Sequence, residues 1–445
     1  MSESARQSAL EILLRIEQDG AYSNLILDKR LGSSSLSERD KSFAAILVYG
    51  VMEKKLLLDY NLARLCDRPV NRLDAPVRMI LRMGLYQLFF MQSVTAAAAV
   101  NESVKLCKVN KLNSSGAFVN AVLRSVSRLS TLQLPERRKG KNKYDSIRYS
   151  CPEPIVKLWR EAYGDEVMAS VLESLEGRPP LTARVNTLRT DTEQLVQRLA
   201  GEGIAAQPSF LKNYITLRGT GAPGALAAGQ EGLFHIQDAA CGICCGMLGV
   251  QPGETVIDAC SAPGGKSFTL AQMMQNRGRI VACDLYENRL QLVAKGAQRL
   301  GITIIETCAG DAAQNQSLPQ ADRILCDVPC SGLGIIRRKP ELRYKEDTGA
   351  QTLPAIQYAI LSHCAGFLKK GGTLVYSTCT LNPAENDGVI RRFLEEHSGF
   401  APAELELPQQ VQRRIPEPSH ELTLFPRKEG TDGFFIAKVV RTQIV

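Results

Sequence analysis

The segment TVIDACSAPGGK, residues 255–266, decides how the second half of this chain can fold. A short run of apolar and β-branched residues is followed by a glycine-containing turn, and a helical pattern begins at Lys266. Gly264 and Gly265 let the backbone approach a bound ligand closely. In a doubly wound α/β sheet, such a turn lies beyond the carboxyl end of the first strand, where ligands bind.

The pattern that follows residue 232 alternates between strand and helix. Strand-like runs are predicted at residues 255–259, 279–283, 302–307, 322–327, 373–377 and 434–440. Helix-like runs are predicted at residues 266–275, 287–300, 353–368 and 385–396. This alternation predicts an α/β domain over residues 232–445, built on a doubly wound, mostly parallel, Rossmann-like sheet.

Three further regions precede this domain. Residues 1–134 carry apolar residues at helical spacing, which predicts an all-α domain. Residues 135–148 contain the basic run RRKGKNK and are predicted to form a linker. Residues 149–231 combine strand-like and helix-like runs, which predicts a small α/β subdomain before the large sheet.

The charge of the chain is distributed unevenly. The net charge is +8 over 445 residues, but residues 1–148 contain 24 Lys and Arg against 14 Asp and Glu, a local net charge of +10. A basic N-terminal third on a near-neutral body favours a polyanionic partner such as RNA, although charge also serves solubility.

The composition favours a cytoplasmic protein. Hydrophobic residues make up 44% of the chain, and no apolar run reaches the length of a membrane span or resembles the core of a signal peptide. The 13 cysteines are odd in number and irregularly spaced, which indicates reduced thiols. No Cys or His pairs recur at zinc-binding spacing, so we expect no metal, no membrane contact and, by default, a monomer.

The glycine-containing turn does not fit the common phosphate-binding motifs. A Walker A loop needs Gly where this chain has Cys260, and a dinucleotide-binding Gly-x-Gly-x-x-Gly is absent from the turn. Asp284 and Asp311 end the next two strand-like runs, where they could accept hydrogen bonds from a ribose and an adenine amino group. Such acids disfavour a pyrophosphate and suit the sulfonium of S-adenosylmethionine.

The predicted cofactor site therefore combines the turn with acids at strand ends. Lys266 could pair with Asp258, contact the cofactor carboxylate or point at phosphate. The residues predicted to bind S-adenosylmethionine are Cys260, Ser261, Ala262, Pro263, Gly264, Gly265, Lys266, Asp284, Asp311 and Asp327.

Two cysteines end later strand-and-turn runs of the same domain. Cys330 ends ILCDVPC at residues 324–330, and Cys379 ends TLVYSTC at residues 373–379. A thiol pair beside a cofactor turn favours covalent chemistry on a planar, electron-poor ring. Either cysteine alone would more often be a small buried apolar residue, so the interpretation depends on the pair.

These motifs together resemble those of the RNA 5-methylcytosine methyltransferases. The resemblance rests on DACSAPGGK at 258–266, DVPCSG at 327–332, STCT at 377–380, PAEN at 383–386 and the RVN unit at 184–186. The N-terminal region is similar to NusB at RP 68–69, ILRMGLYQL 80–88, NESV 101–104 and FVNAVL 118–123. The sequence departs from the usual motifs at Ser261, Ser267, Val328 and Thr380, none of which removes a reactive group.

The resemblance implies a class I methyltransferase domain that uses S-adenosylmethionine to methylate carbon 5 of a cytosine. It further implies that Cys379 is the nucleophile, that Cys330 assists release and proton removal, and that Asp327 activates the cytosine. DNA cytosine methyltransferases instead use the cysteine of the Pro-Cys motif, which would be Cys330. The spacing of the two thiols does not separate these roles.

The NusB-like region implies that the RNA partner is 16S rRNA. Two alternatives stay open: methylation of a tRNA cytosine, and a non-catalytic RNA-binding regulator. The residues predicted to contact RNA are Arg184, Asn186, Arg337, Arg338 and Lys339.

Overall fold

The computed structural model describes residues 4–20, 23–219, 223–315, 317–345, 352–427 and 430–442. The chain forms two compact units, each continuous in space but not in sequence. The N-terminal unit contains Met1–Glu176 and Ile336–Glu346, and the C-terminal unit contains Gly177–Ile335 and Asp347–Val445.

The N-terminal unit is all-helical, as its sequence predicts. Its α-helices are α1 Ala5–Asp19, α2 Ser23–Gly32, α3 Glu38–Glu53, α4 Lys55–Leu62, α5 Ala75–Phe90, α6 Ala96–Val109, α7 Gly116–Val126, α8 Lys141–Tyr149 and α9 Glu153–Glu173. The side chains of Ser4, Ser37 and Thr95 cap the first turns of α1, α3 and α6, because each accepts a backbone N–H that has no partner within the helix. The apolar faces of α1, α3, α4, α5 and α7 meet in one core.

The predicted linker at residues 135–148 is largely a structured part of this unit. Helix α8 begins at Lys141, and Asp145 on its buried side accepts a hydrogen bond of 2.6 Å from Arg160 on α9. The basic residues of the run lie on exposed faces, which is why the charge pattern suggested a solvated linker. This part of the domain prediction is therefore wrong.

The segment Ile336–Glu346 also folds with the N-terminal unit. It contains the short 3-10 helix Pro340–Tyr344, in which Glu341 accepts hydrogen bonds from the backbone N–H and the hydroxyl of Ser23 at 3.1 and 2.9 Å. The guanidinium of Arg343 is buried and donates to the carbonyls of Glu53, Tyr149 and Ser150, at 3.2 to 3.3 Å. It therefore satisfies carbonyls at the ends of α3 and α8, where a cation also complements the helix dipole.

A small antiparallel sheet begins the C-terminal unit. Its elements are β1 Leu181–Val185, α10 Thr192–Gly201, β2 Ala205–Pro208, β3 Tyr214–Arg218, α11 Ala227–Gln230 and β4 Phe234–Ile236, with strand order β2-β3-β1-β4. The predicted subdomain boundary at residue 231 needs correction, because β4 lies beyond it and pairs with β1. Helix α9, which the sequence places in that subdomain, makes its contacts mainly within the N-terminal unit.

The large sheet has the predicted doubly wound architecture. Its elements are α12 Ala239–Leu248, β5 Thr255–Asp258, α13 Gly265–Met273, β6 Arg279–Asp284, α14 Glu287–Leu300, β7 Ile305–Ala309, β8 Ala321–Asp327, α15 Leu353–Ala365, β9 Leu368–Thr378, α16 Asp387–Glu396, β10 Phe400–Pro402, β11 Glu421–Leu424 and β12 Phe434–Arg441. The strand order is β10-β12-β9-β8-β5-β6-β7, with β11 paired to β12. Strands β7, β6, β5, β8 and β9 are parallel, and β12 joins β9 antiparallel.

Both faces of this sheet are buried. Successive residues of each central strand enter opposite cores, because side chains alternate across a strand. One core contains Val256, Ile280, Leu325 and Val375 with residues of α12, α13 and α14. The other contains Ile257, Val281, Ile324 and Leu374 with residues of α15 and α16.

The hydrogen bonds of Arg343 predict that the N-terminal unit depends on the inserted segment. Arg343→Ala should lower its free energy of unfolding by about 2 kcal/mol, because it removes the guanidinium that donates to the carbonyls of Glu53 and Tyr149 at the ends of α3 and α8. The single tryptophan, Trp159, is fully buried in α9, so its fluorescence during urea unfolding reports on this unit. Arg124→Ala is the matched control, since Arg124 is exposed and its hydrogen bond goes to the neighbouring Asn120 on the same helix. Equal unfolding midpoints for the two variants would contradict the stabilising role of Arg343.

Candidate active site

The site lies at the carboxyl edge of the parallel strands. Strands β5, β6 and β8 each end on an acid: Asp258, Asp284 and Asp327. Strand β9 ends at Thr378, directly before Cys379, and β8 pairs with β9 in a register that places Asp327 opposite Ser377. Parallel pairing therefore brings groups from distant parts of the sequence to one edge.

The two cysteines singled out in the sequence meet at this edge. The sulfur atoms of Cys330 and Cys379 are 3.2 Å apart, close enough for one thiol to donate a hydrogen bond to the other sulfur. The pKa of the Cys330 thiol lies well above its usual value, first because of its hydrogen bond with Cys379, and then because of burial and the nearby charges of Cys379 and Glu385.

Asp327 is fixed by two hydrogen bonds beside this pair. One carboxylate oxygen accepts from the Lys266 ammonium at 2.7 Å, and the other accepts from the Ser377 hydroxyl at 2.8 Å. Burial lowers the pKa of Lys266, but the charge and hydrogen bond of Asp327, together with the neighbouring Cys241 and Cys244, outweigh this effect, and the pKa of Lys266 stands well above its ordinary value. The partner of Lys266 is thus Asp327, rather than Asp258 as considered from the sequence.

Asp258 has a different environment. It is fully buried and accepts a hydrogen bond of 2.6 Å from the Ser267 hydroxyl at the start of α13. Burial raises the pKa of its carboxyl to about 7. Asp258 thus joins the end of β5 to the first turn of the following helix.

The turn between β5 and α13 is held in a compact shape. The Ser261 N–H donates to the Cys283 carbonyl and the Gly264 N–H donates to the Ser261 carbonyl, both at 2.7 Å, and the Ala262-Pro263 peptide is cis. Gly264 has φ +107°, and a Cβ atom there would lie 2.4 Å from the ring of Phe268. The position therefore requires glycine.

A buried polar atom in this turn has no partner within the described chain. The hydroxyl of Ser261 is buried without a hydrogen-bond partner, which indicates a ligand group as its partner. Cys260 packs partly against the core beside β5 and β8, so its backbone rather than its thiol is the group available to a ligand. An unpaired donor, an obligatory glycine and acids at the strand ends together fit the amino-acid and ribose parts of S-adenosylmethionine.

The acids predicted to bind the nucleoside have partners of their own. Asp284 is buried, accepts from the Tyr286 N–H at 3.1 Å and pairs with Arg289 at 2.9 Å. Arg289 also donates to the Ala262 carbonyl at 2.9 Å, so it links the end of β6 to the cofactor turn. Asp311 is exposed just after β7 and accepts from the Ala313 N–H at 2.9 Å.

Two polar residues of this site were not found from the sequence. Arg289 lies five residues after Asp284 on the first turns of α14, a spacing that could have indicated the ion pair. Ser377 contacts Asp327 only because of the register between β8 and β9, which the sequence does not contain.

Three of the predicted RNA contacts need correction. Arg184 is 3% exposed and donates to the Gln272 side chain at 2.9 Å, and Asn186 is fully buried and donates to the carbonyls of Gly232 and Leu300. Arg337 is 3% exposed in the segment that folds with the N-terminal unit. Buried groups of this kind support packing, whereas Arg338 and Lys339 are half-buried and stay predicted RNA contacts.

Neither a metal site nor a membrane-spanning helix is found among the described residues. Within the described ranges, no group of three His, Cys, Asp or Glu residues is placed to hold a metal ion. None of the helices in the described part of the chain is both long and apolar enough to cross a membrane.

Comparison with known proteins gives consistent family matches along the chain. Residues 245–440 match the family described as 16S rRNA methyltransferase RsmB/F. Residues 3–128 match the NusB family, and residues 151–222 match the ferredoxin-like domain described as Methyltr_RsmF/B-like.

The curated relatives match over nearly the whole chain. The "Probable ribosomal RNA small subunit methyltransferase B" of Bacillus subtilis is 37% identical over 98% of this chain and 98% of the relative. A protein of the same name from Synechocystis is 38% identical over 98% of this chain and 99% of the relative. A solved methyltransferase homolog from Pyrococcus horikoshii is 29% identical, with a TM-score of 0.58 over 67% of this chain and 97% of that one.

The geometry of Gly264 predicts a selective loss of cofactor binding. Gly264→Ala should weaken S-adenosylmethionine binding at least tenfold, because the new Cβ atom meets Phe268 at a positive φ. Isothermal titration calorimetry measures the effect. Gly246→Ala is the control, since Gly246 is exposed in α12 and a Cβ atom there meets nothing within 4 Å. Wild-type affinity in Gly264→Ala would contradict the assignment of the turn.

Proposed function

Because the chain belongs to the family of ribosomal RNA small subunit methyltransferases B, we propose that it methylates carbon 5 of one cytosine in 16S rRNA. The enzyme is a methyltransferase that uses S-adenosylmethionine. The observation that carries the finer proposal is the pair of sulfur atoms, 3.2 Å apart, beside the ion pair of Lys266 and Asp327. A nucleobase carbon needs such a thiol pair to accept a methyl group, whereas an amine or a phosphate does not.

The cofactor would be held by the residues of the β5–α13 turn and by the acids that follow β6 and β7. The hydroxyl of Ser261 and the backbone around Gly264 would bind its amino-acid part, and Asp284 and Asp311 would suit its ribose and adenine. When bound, S-adenosylmethionine supplies an electrophilic methyl group on a positively charged sulfur.

Cys379 supplies the nucleophile in this proposal. Its thiolate adds to carbon 6 of the cytosine, and the electron pair of the carbon 5–carbon 6 double bond makes carbon 5 enamine-like and nucleophilic. Asp327 is held at the end of β8 by Lys266 and Ser377, so it can accept a hydrogen bond from the Watson–Crick edge of the ring and stabilise the protonated adduct. The base must leave its stack to reach these groups.

Cys330 then completes the reaction. The methylated carbon 5 still carries a proton. When a proton acceptor of the enzyme removes it, the C–H electron pair restores the double bond of the ring. The bond between Cys379 and carbon 6 then breaks, and its electron pair returns to the sulfur. The hydrogen bond and charge of Cys379 are major causes of the raised pKa of Cys330. Both disappear when Cys379 becomes a neutral thioether, so Cys330 can lose its own proton and serve as the base at that stage.

The cysteines of the chain support a location for the protein. All 13 cysteines are free thiols in the structure, which favours a reducing compartment such as the cytoplasm. We propose that the enzyme acts there as a monomer.

Substrate choice is tested by methyl transfer from tritiated S-adenosylmethionine. We expect incorporation into 16S rRNA from cells that lack the gene and none into 16S rRNA from cells that carry it. Bisulfite sequencing should then find a single 5-methylcytosine that depends on the gene. Incorporation into tRNA alone would favour the tRNA alternative, and none into either RNA would favour a non-catalytic regulator.

The division of labour between the thiols predicts opposite behaviour of two variants. Cys379→Ala should abolish turnover and form no covalent complex with RNA. Cys330→Ala should also abolish turnover but accumulate a protein–RNA complex that survives denaturing electrophoresis, since attack proceeds and release does not.

Cys66→Ala is the control for loss of a thiol, because Cys66 lies in the helical N-terminal unit. It should keep wild-type turnover and accumulate no complex. If Cys379→Ala accumulates the complex instead, the two roles are reversed.

A further inference from the structure

A buried carboxylate connects the turns that carry the two thiols. Glu385 ends the short 3-10 helix Pro383–Glu385 after β9, and its side chain is fully buried. The carboxylate accepts four hydrogen bonds from neutral donors: Ser331 N at 2.8 Å, Ser331 Oγ at 2.6 Å, Gln357 Nε2 at 3.0 Å and Asn382 Nδ2 at 2.9 Å. Such a set of donors stabilises an ionised carboxylate away from water.

These bonds fix the Cys330 turn on both sides of its thiol. Ser331 follows Cys330 directly and makes two of the four bonds to Glu385. Gln357, buried on α15, donates both to Glu385 and to the Pro329 carbonyl, the latter at 2.9 Å. The residues before and after Cys330 are therefore held by the same network.

The same network reaches the Cys379 turn. The hydroxyls of Ser331 and Thr380 are 2.7 Å apart, so a side chain next to Cys330 touches one next to Cys379. The carbonyl of Glu385 accepts from the Tyr376 hydroxyl at 2.6 Å, which ties the turn that carries Glu385 to β9. The separation of the two sulfur atoms thus depends on contacts that converge on Glu385.

The charge of this carboxylate also distinguishes the two thiols. Its bonds to Ser331 place a fixed negative charge next to the backbone of Cys330. A fixed anion disfavours a second negative charge nearby, and Glu385 is one of the causes that raise the pKa of Cys330.

We propose that Glu385 is a positioning residue for the methyl transfer: it holds the turn of Cys330 against the turn of Cys379 for the attack on the base. This inference rests on the covalent mechanism proposed above. It assigns Glu385 no contact with the cytosine, since all four of its hydrogen bonds go to the protein.

The test combines turnover with thiol reactivity. Glu385→Gln keeps the size of the side chain but removes its charge and puts a donor where an acceptor stood. Iodoacetamide alkylation of each cysteine is followed by peptide mapping at a series of pH values. The midpoint is the pH at which the alkylation rate of that cysteine is half of its maximum, and no RNA is needed to measure it. In the wild type, we expect Cys330 to react only at a higher pH than an ordinary thiol, because its pKa is raised.

In Glu385→Gln, the midpoint of Cys330 should fall by about one pH unit, equivalent to about tenfold faster alkylation below the midpoint. The kcat should fall at least tenfold, with KM for S-adenosylmethionine within twofold of wild type. Glu385→Asp retains the charge on a shorter side chain. Its Cys330 midpoint should therefore equal that of the wild type, whereas its kcat should stay as low as in Glu385→Gln. Glu395→Gln removes an exposed charge from α16 and should change neither quantity.

An unchanged midpoint of Cys330 together with wild-type kcat in Glu385→Gln would overturn the proposal. If that variant does not fold, Ser331→Ala tests the proposal instead. It removes the 2.6 Å hydrogen bond from the Ser331 hydroxyl to Glu385 and leaves the carboxylate in place. We expect about tenfold lower kcat with an unchanged midpoint of Cys330, and wild-type kcat would overturn the proposal.

The positioning role and the proposed function can fail separately. If the midpoint of Cys330 shifts as expected but no RNA adduct forms through Cys379, the covalent mechanism is wrong and the role of Glu385 in setting the thiols is supported. If the adduct forms and neither the midpoint nor kcat responds to Glu385→Gln, the role of Glu385 alone is wrong.

Discussion

The site depends on the parallel register between β8 and β9. This register sets Asp327 opposite Ser377, and each strand then turns into the segment that carries a reactive thiol. Because the two strands are neighbours and end at the same edge, Cys330 and Cys379 meet at 3.2 Å although 49 residues separate them. A slip of one residue would turn the side chains of one strand to the opposite face and separate the pair.

Around the thiols, buried polar groups hold two carboxylates in fixed positions, which groups on a mobile surface could not do. Lys266 and Ser377 fix the carboxylate of Asp327, and neutral donors fix that of Glu385. We propose different roles for the two acids: Asp327, which has a cation as its partner, contacts the cytosine, and Glu385, whose four donors are neutral, holds the turns that carry the thiols.

Much of the architecture could be predicted because it depends on local pattern. The alternation of strand and helix gave the doubly wound sheet, and the strand ends placed Asp284, Cys330 and Cys379 correctly at one edge. The ion pair between Lys266 and Asp327 could not be predicted, because it joins groups 61 residues apart and depends on how β5 and β8 align. Residue type was a poor guide to RNA contacts, because burial cannot be read from it. The polar side chains of Arg184, Asn186 and Arg337 suggested RNA contacts but are buried in the protein. The basic run that leads into α8 looked like a linker because its charges lie on exposed faces of a packed segment.

The central claim is that Cys379 bonds covalently to the target cytosine. The most direct measurement uses 16S rRNA in which 5-fluorocytosine replaces cytosine, since fluorine at carbon 5 leaves no proton to remove and traps the adduct. Wild-type enzyme and S-adenosylmethionine should give a stable protein–RNA complex, and mass spectrometry of its peptides should find the methylated nucleotide on Cys379. A nucleotide on Cys330, or no complex under conditions where normal 16S rRNA is methylated, would contradict this account.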